Sequence, residues 1–178
     1  PFMIVDELLD RLIRLGFSGI QNFPTVGLID GLFRANLEET GMGYELEVDM
    51  IAQARQLDLL TAAYVFDRTS SESMTKAGAD VLVPHMGLTT KGMIGASTSR
   101  SLDDCVGLIQ EMNDAARKIN PEIIVICHGG PIAEPDDAKY ILGKVKGVQG
   151  FFGASSMERI PTELAMTENM KRFKEIAL

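Results

Sequence analysis

Ile123-Ile-Val-Ile-Cys-His128-Gly-Gly130 is an unbroken apolar run that stops at a histidine and a glycine pair, and Val81-Leu-Val-Pro-His85-Met-Gly87 ends in the same manner. A run without apolar–polar alternation is what a parallel strand covered on both faces requires. Sheets of such strands bind ligands beyond their carboxyl ends. The chain has two histidines, and each stands at that end of a strand-like segment. Chemistry is therefore expected there.

Working outward, further strand-like segments run over residues 19–23, 59–66 and 148–152, and helical patterns separate all five. Val5, Leu8, Leu9, Leu12 and Leu15 mark an opening helix that Gly16 stops. Leu46, Met50, Ile51, Ala54 and Leu57 mark a second helix face. Leu102, Cys105, Ile109, Met112, Ala116 and Ile119 mark a third, ending before Pro121. Helix starts are predicted at Ser70 or Ser71, at Ser101 with Asp104, at Pro135 and at Pro161. This strand–helix alternation fits either an open doubly wound sheet or a (β/α)8 TIM barrel. The barrel is favoured because all five strands end in plausible site residues, and no G-x-G-x-x-G follows the first strand. A barrel has eight strands, so about three βα units are expected to lie outside this chain.

At 178 residues and 46% hydrophobic, the chain suffices for one domain with a core, here the carboxyl-terminal part of a single barrel over 1–178. The net charge of -8 and the scattered Lys and Arg residues argue against nucleic acid as a partner. No apolar stretch reaches the roughly 18 residues of a membrane span, so no membrane is expected. Cys105 and Cys127 are too few for a disulfide framework and lack metal-ligand spacing, which points to a reducing cytoplasmic setting. The Pro1-Phe-Met start, with no initiator methionine, suggests a truncated beginning.

At Gln21-Asn-Phe-Pro-Thr-Val-Gly27, Pro84-His-Met-Gly-Leu-Thr89, Cys127-His-Gly-Gly-Pro-Ile132 and Gly150-Phe-Phe-Gly-Ala-Ser-Ser-Met-Glu-Arg159 the chain resembles one family. It is similar to the phosphoenolpyruvate hydrolase-like TIM-barrel family, a relative of the phosphoenolpyruvate mutase and isocitrate lyase superfamily. A family member also forms the carboxyl-terminal domain of a plant inhibitor of viral replication. The resemblance implies a full barrel whose first three strands precede Pro1, so that the strands here are the fourth to the eighth. It further implies a hydrolase or lyase acting on a small phosphorylated or carboxylated three-carbon acid with Mg²⁺ assistance. The superfamily's magnesium-binding acids and mobile catalytic loop have no match in this chain. No nucleotide or flavin cofactor is expected.

Within that frame, His85 and His128 are candidates for general acid and base or for metal ligation, because imidazole titrates near neutrality. Gly129, Gly130, Gly153, Ser155 and Ser156 follow the last two strands, where barrels frequently hold a phosphate on backbone N–H groups. Arg159 and Lys91 are candidates to grip an anion. The long connection from Asn22 to Tyr44 offers Arg34 as a ligand contact, Glu38 or Glu39 as a carboxylate for proton transfer or Mg²⁺, and Asn22 as a partner for a substrate oxygen. Tyr64 can donate a phenolic hydrogen bond. Residues 89–100, with Gly92 and Gly95 as hinges, form a candidate lid. A non-catalytic ligand-binding or regulatory barrel is the alternative reading. The strand count also predicts an oligomer, or completion by an amino-terminal fragment of the same protein.

Overall fold

A computed structural model describes residues 4–177; the Pro1-Phe-Met start lies outside the described residues. Helix α1 (Val5–Arg14) leads into β1 (Gly19–Gln21), then a 3-10 turn (Val26–Leu28), α2 (Gly31–Glu39) and α3 (Glu45–Gln56). The alternation then becomes regular: β2 (Leu60–Val65), α4 (Arg68–Lys76), β3 (Val81–Pro84), α5 (Leu102–Ile119), β4 (Ile124–Cys127), α6 (Pro135–Lys144), β5 (Gly150–Phe151) and α7 (Ile160–Lys174). All four strand pairings are parallel, and the sheet order is β1-β2-β3-β4-β5. That order decides between the two architectures. A doubly wound sheet reverses its strand order at a switch point, whereas sequential parallel neighbours are the geometry of consecutive units in a (β/α)8 barrel. The chain forms five such units.

Register assigns the two faces of the sheet. Ala63, Val65, Leu82, Val125 and Cys127 are buried in one cluster with Ile51 of α3, Met74 of α4 and Cys105, Ile109 and Met112 of α5. Cys105 and Cys127 are thus buried thiols, and burial pushes both up to about 11. The opposite face carries Leu60, Ala62, Val81 and Ile124, which are aligned by pairing of Ala62 with Val81 and of Val81 with Ile124. This is the barrel's inner face, and it is open toward the amino ends of the strands, where Leu60 is 56% exposed and Ile124 45%, while Val83, Tyr64, His85 and His128 farther along it are buried. Among the described residues no strand pairs with the outer edge of β1 or β5. Helix α7 is similarly unpacked, with Ile160 its one buried residue and Met166, Met170 and Phe173 exposed along one side.

Local chemistry explains where the helices begin. Ser101 caps α5, accepting from the Asp104 N–H at 3.1 Å while Asp104 returns to Ser101. The start of α4 differs from expectation. Asp67, rather than Ser70 or Ser71, is the capping residue, accepting from the Ser70 N–H at 2.7 Å, and Ser70 closes the box from inside the helix. Ser71 is fully buried and donates to the Met112 carbonyl at 2.8 Å, which ties α4 to α5. No helix among the described residues is long and apolar enough to cross a membrane.

The two faces should respond differently to truncation. Ile109→Ala removes a fully buried side chain and is expected to cost about 2–5 kcal/mol in urea unfolding. Leu60→Ala, on the open face, is expected to cost under about 1 kcal/mol in this chain. Equal losses would contradict the assignment of inner and outer faces.

Candidate functional site

The β3–β4 ladder continues one step beyond both strands. His128 N–H donates to the Pro84 carbonyl at 3.0 Å, and Met86 N–H to the His128 carbonyl at 2.9 Å, so that His85 and His128 stand side by side. Because paired residues share a face, both rings project to the inner side with centroids 4.8 Å apart. Tyr64, near the end of β2, lies against both, its ring 4.8 Å from His85 and 5.2 Å from His128. Phe23 and Phe152 flank Tyr64 at 5.9 Å and 6.3 Å. These five rings, with Ser155, line a cavity of about 320 Å³ at the carboxyl end of the sheet.

The hydrogen bonds define the protonation of each imidazole. His85 Nδ1 accepts from the Gly87 N–H at 3.1 Å, which leaves the ring proton on Nε2. His128 Nδ1 lies 2.6 Å from the Phe152 carbonyl, which can only accept, so His128 carries its proton on Nδ1. Its Nε2 then faces the Tyr64 hydroxyl at 3.4 Å. Burial, followed by the neighbouring His128, pushes His85 down to about 4. Burial also lowers His128, against the pull of the Phe152 carbonyl. Both rings are therefore neutral near pH 7.

The structure gathers some of the expected residues here and disperses others. Asn22 is buried and occupied: its Oδ1 accepts from Tyr64 N–H at 2.7 Å, and its Nδ2 donates to Glu47 at 2.7 Å and to the Tyr64 carbonyl at 3.3 Å. It thus locks Tyr64 in place, rather than presenting its amide to the cavity. Arg34 and Glu38 pair at 2.6 Å beside a different cavity of about 510 Å³, and Arg34 also holds the Val26 carbonyl at 2.8 Å. The Arg34 partnership keeps the Glu38 carboxyl below its ordinary value, and Glu39 is exposed. Lys91 bridges Glu134 at 2.6 Å and Asp137 at 2.8 Å. Arg159 pairs with Glu163 at 2.8 Å and donates to the Lys91 carbonyl at 3.0 Å. The cations singled out for anion binding are each engaged by internal carboxylates.

The glycines serve close approach. Gly130 N–H donates to the Gly87 carbonyl at 2.6 Å, and Thr90 N–H donates to the Gly130 carbonyl at 3.2 Å. Gly129 and Gly130 have φ of 76° and 60°, and a Cβ on Gly129 would lie 2.5 Å from the Gly87 carbonyl. Only glycine lets the two strand-end loops meet in this way. After β5, by contrast, the N–H groups of Gly153, Ala154, Ser155 and Ser156 find no acceptor among the described residues. They precede the turn formed by Met157 N–H and Glu158 N–H with the Ala154 carbonyl.

One residue of the site escaped the sequence reading. Glu47 on α3 accepts from Val26 N–H at 2.8 Å and from Asn22, and burial pushes its carboxyl up despite these bonds. It shares a helical face with Met50, Ile51 and Ala54, and an acid inside an apolar stripe was the available signal. Mg²⁺ needs several oxygen ligands, and no group of three or more His, Cys, Asp or Glu able to hold a metal occurs among the described residues.

Two outcomes follow from this geometry. The unfolded chain protonates its histidines near 6.5, while His85 in the fold resists until about 4. Stability should therefore fall as pH drops from about 6.5 to 4, by up to about 3 kcal/mol from His85, and His85→Gln should flatten that decline in urea titrations. An unaltered pH dependence in the variant would refute the assignment. Gly130→Ala should lose more than about 1 kcal/mol, because φ is 60° and the new Cβ would strike the Met86 carbonyl.

Comparison with known proteins agrees with the sheet order and the strand-end motifs. The ToMV susceptible protein tm-1(GCR26) of Solanum lycopersicum is 54% identical over 178 residues, which is 100% of this chain and 24% of the relative. The ToMV resistance protein Tm-1(GCR237) of the same plant is 53% identical, again over 100% of this chain and 24% of its own. The chain thus spans about a quarter of the length of these curated relatives. Among solved structures, a dihydrodipicolinate synthase matches at TM-score 0.53 and 16% identity, covering 90% of this chain and 53% of the other. A protein described as a phosphonomutase from Burkholderia cenocepacia J2315 matches at TM-score 0.50 and 10% identity, covering 94% and 89%. At such identities the likeness is one of fold. Residues 1–176 match the family described as phosphoenolpyruvate hydrolase-like, and with a match of that extent the chain belongs to that family.

Proposed function

We propose that this chain supplies the reactive mouth of a TIM-barrel enzyme acting on a small phosphorylated or carboxylated three-carbon acid, in a hydrolase or lyase reaction. The observation that carries the reading is the pair of neutral imidazoles, His85 and His128, packed against Tyr64 in the wall of a cavity of about 320 Å³. A neutral His128 at a strand-end cavity suits the role of proton acceptor, while His85, pushed down to about 4, keeps its Nε2–H as a hydrogen-bond donor. The unpaired N–H groups of residues 153–156 adjoin the same cavity through Ala154 and Ser155 and suit an anionic oxygen. With Lys91, Arg159 and Arg34 paired to carboxylates, the donors left in the wall of this cavity are backbone N–H groups, the His85 Nε2–H and the Gln21 amide.

The working unit in this reading is a completed barrel. The open inner face and the free edges of β1 and β5 call for further strands, from sequence outside this chain or from a second copy. A Mg²⁺ ion in such an assembly would take its oxygen ligands from those added units. The second reading is a barrel that binds a ligand without converting it, and the relatives named for virus susceptibility and resistance favour it.

Incubation with phosphoenolpyruvate and phosphonopyruvate, with release of pyruvate and phosphate followed, tests the enzyme reading. Turnover that His128→Ala lowers by about 10²–10⁴-fold, with an unchanged circular dichroism spectrum, is the expected result. Turnover unaffected by the substitution would remove His128 from the mechanism. Saturable binding of either compound without conversion would favour the ligand-binding barrel.

A further inference from the structure

Parallel register places Gln21 of β1, Ala62 of β2, Val81 of β3 and Ile124 of β4 in one row across the inner face. Ala62, Val81 and Ile124 are apolar, and Gln21 brings an amide into their row. Its Nε2 is buried and finds no hydrogen-bond partner among the described residues. A buried donor left unmet is costly, so such a group calls for a partner that arrives after folding. Gln21 lines the cavity that also holds Tyr64, His85 and His128. Burial raises the Tyr64 phenol, and the Gln21 amide beside it opposes that rise.

The polar groups of the cavity are ordered along the sheet. Gln21 on β1 and His85 beyond β3 each present a donor, the latter as Nε2–H. His128 beyond β4 presents an acceptor at Nε2, since the Phe152 carbonyl holds its proton on Nδ1. After β5 come the unpaired N–H groups of Gly153, Ala154, Ser155 and Ser156. A run of backbone donors suits the several oxygens of a phosphoryl group. One amide and one imidazole N–H suit the smaller demand of a carboxylate.

We propose that Gln21 is a specificity-determining residue that binds the carboxylate end of the ligand, which lies along the sheet with its phosphoryl end at residues 153–156. This rests on the reading of the cavity as an active site given above, and adds to it a direction for the ligand. The amide turns from its unbonded position to donate to a carboxylate oxygen, and His85 Nε2–H donates from the neighbouring wall. No bond within the protein is lost in that turn. The central carbons of the ligand then lie beside Tyr64 and His128.

Titration of the completed barrel with pyruvate and with inorganic phosphate separates the two ends, since each compound carries one of them. Gln21→Met, similar in length and without a donor, should weaken pyruvate binding about tenfold, the value of one hydrogen bond, and leave phosphate binding unchanged. Its urea midpoint should stay level or rise, because the amide has no partner in the protein to lose. Gln21→Glu, which keeps the shape and replaces the donor with a negative charge, should weaken pyruvate at least as strongly. Equal losses for pyruvate and phosphate, or a lowered urea midpoint in Gln21→Met, make the amide a structural group of the barrel wall and overturn the proposal. Pyruvate that binds the unaltered protein and Gln21→Met alike also overturns it, and leaves the ligand site standing. If pyruvate, phosphate and phosphoenolpyruvate all fail to bind the unaltered protein, the reading of the cavity as an active site falls, and the role of Gln21 with it.

Discussion

The parallel pairing of β3 with β4 is the constraint from which the site follows. Val81 aligns with Ile124 and Leu82 with Val125, and the same register, carried past the strand ends, leaves His85 and His128 no choice but to be neighbours. A slip of one residue would send one ring to the helix-covered face. Continuing the ladder requires the loops after both strands to lie within backbone hydrogen-bond distance, which is the role of Gly87, Gly129 and Gly130. Packing, backbone conformation and chemistry are joined at this point of the sheet.

Charge is distributed with similar economy. Lys91 is shared between two acids near the start of α6, Arg159 binds Glu163 and the Lys91 carbonyl, and Met93 N–H also donates to Glu163 at 2.8 Å. These links fix residues 91–93 against both α6 and α7. The cavity itself is left with neutral imidazoles, a phenol, the Gln21 amide, the Thr89 and Ser155 hydroxyls and backbone dipoles. In a site of that kind, selectivity depends on which atoms carry hydrogens rather than on net charge.

Much of this was legible in the sequence. Unalternating runs ending in His85 and His128 located the strands and the mouth, because burial on both faces imposes a composition that survives without any alignment. The choice between a barrel and a doubly wound sheet was less accessible, since both alternate strand and helix and differ only in neighbour order. Partners of long side chains were not legible at all. Nothing local to Lys91 indicates Glu134 and Asp137, which the fold brings near from the next βα unit. Asn22 read as a free polar group at a strand end, yet its amide mimics a strand in pairing with both the N–H and the carbonyl of Tyr64. Ser70 carried the signature of a capping residue, and a stronger acceptor, Asp67, lies three positions earlier.

The sequential strand order also bears on how the molecule forms. Each strand pairs with the one next to it in the chain, and α4 and α5, which flank β3, pack against each other. Among the described residues every strand pairing joins strands that are consecutive in the chain. Loop-closure entropy is therefore met in small successive amounts, and the array can grow one unit at a time, much as a repeat protein propagates from any nucleus. A barrel built in this way can be divided between polypeptides, or carried as one segment of a longer chain, without losing the instructions for its own part of the wall.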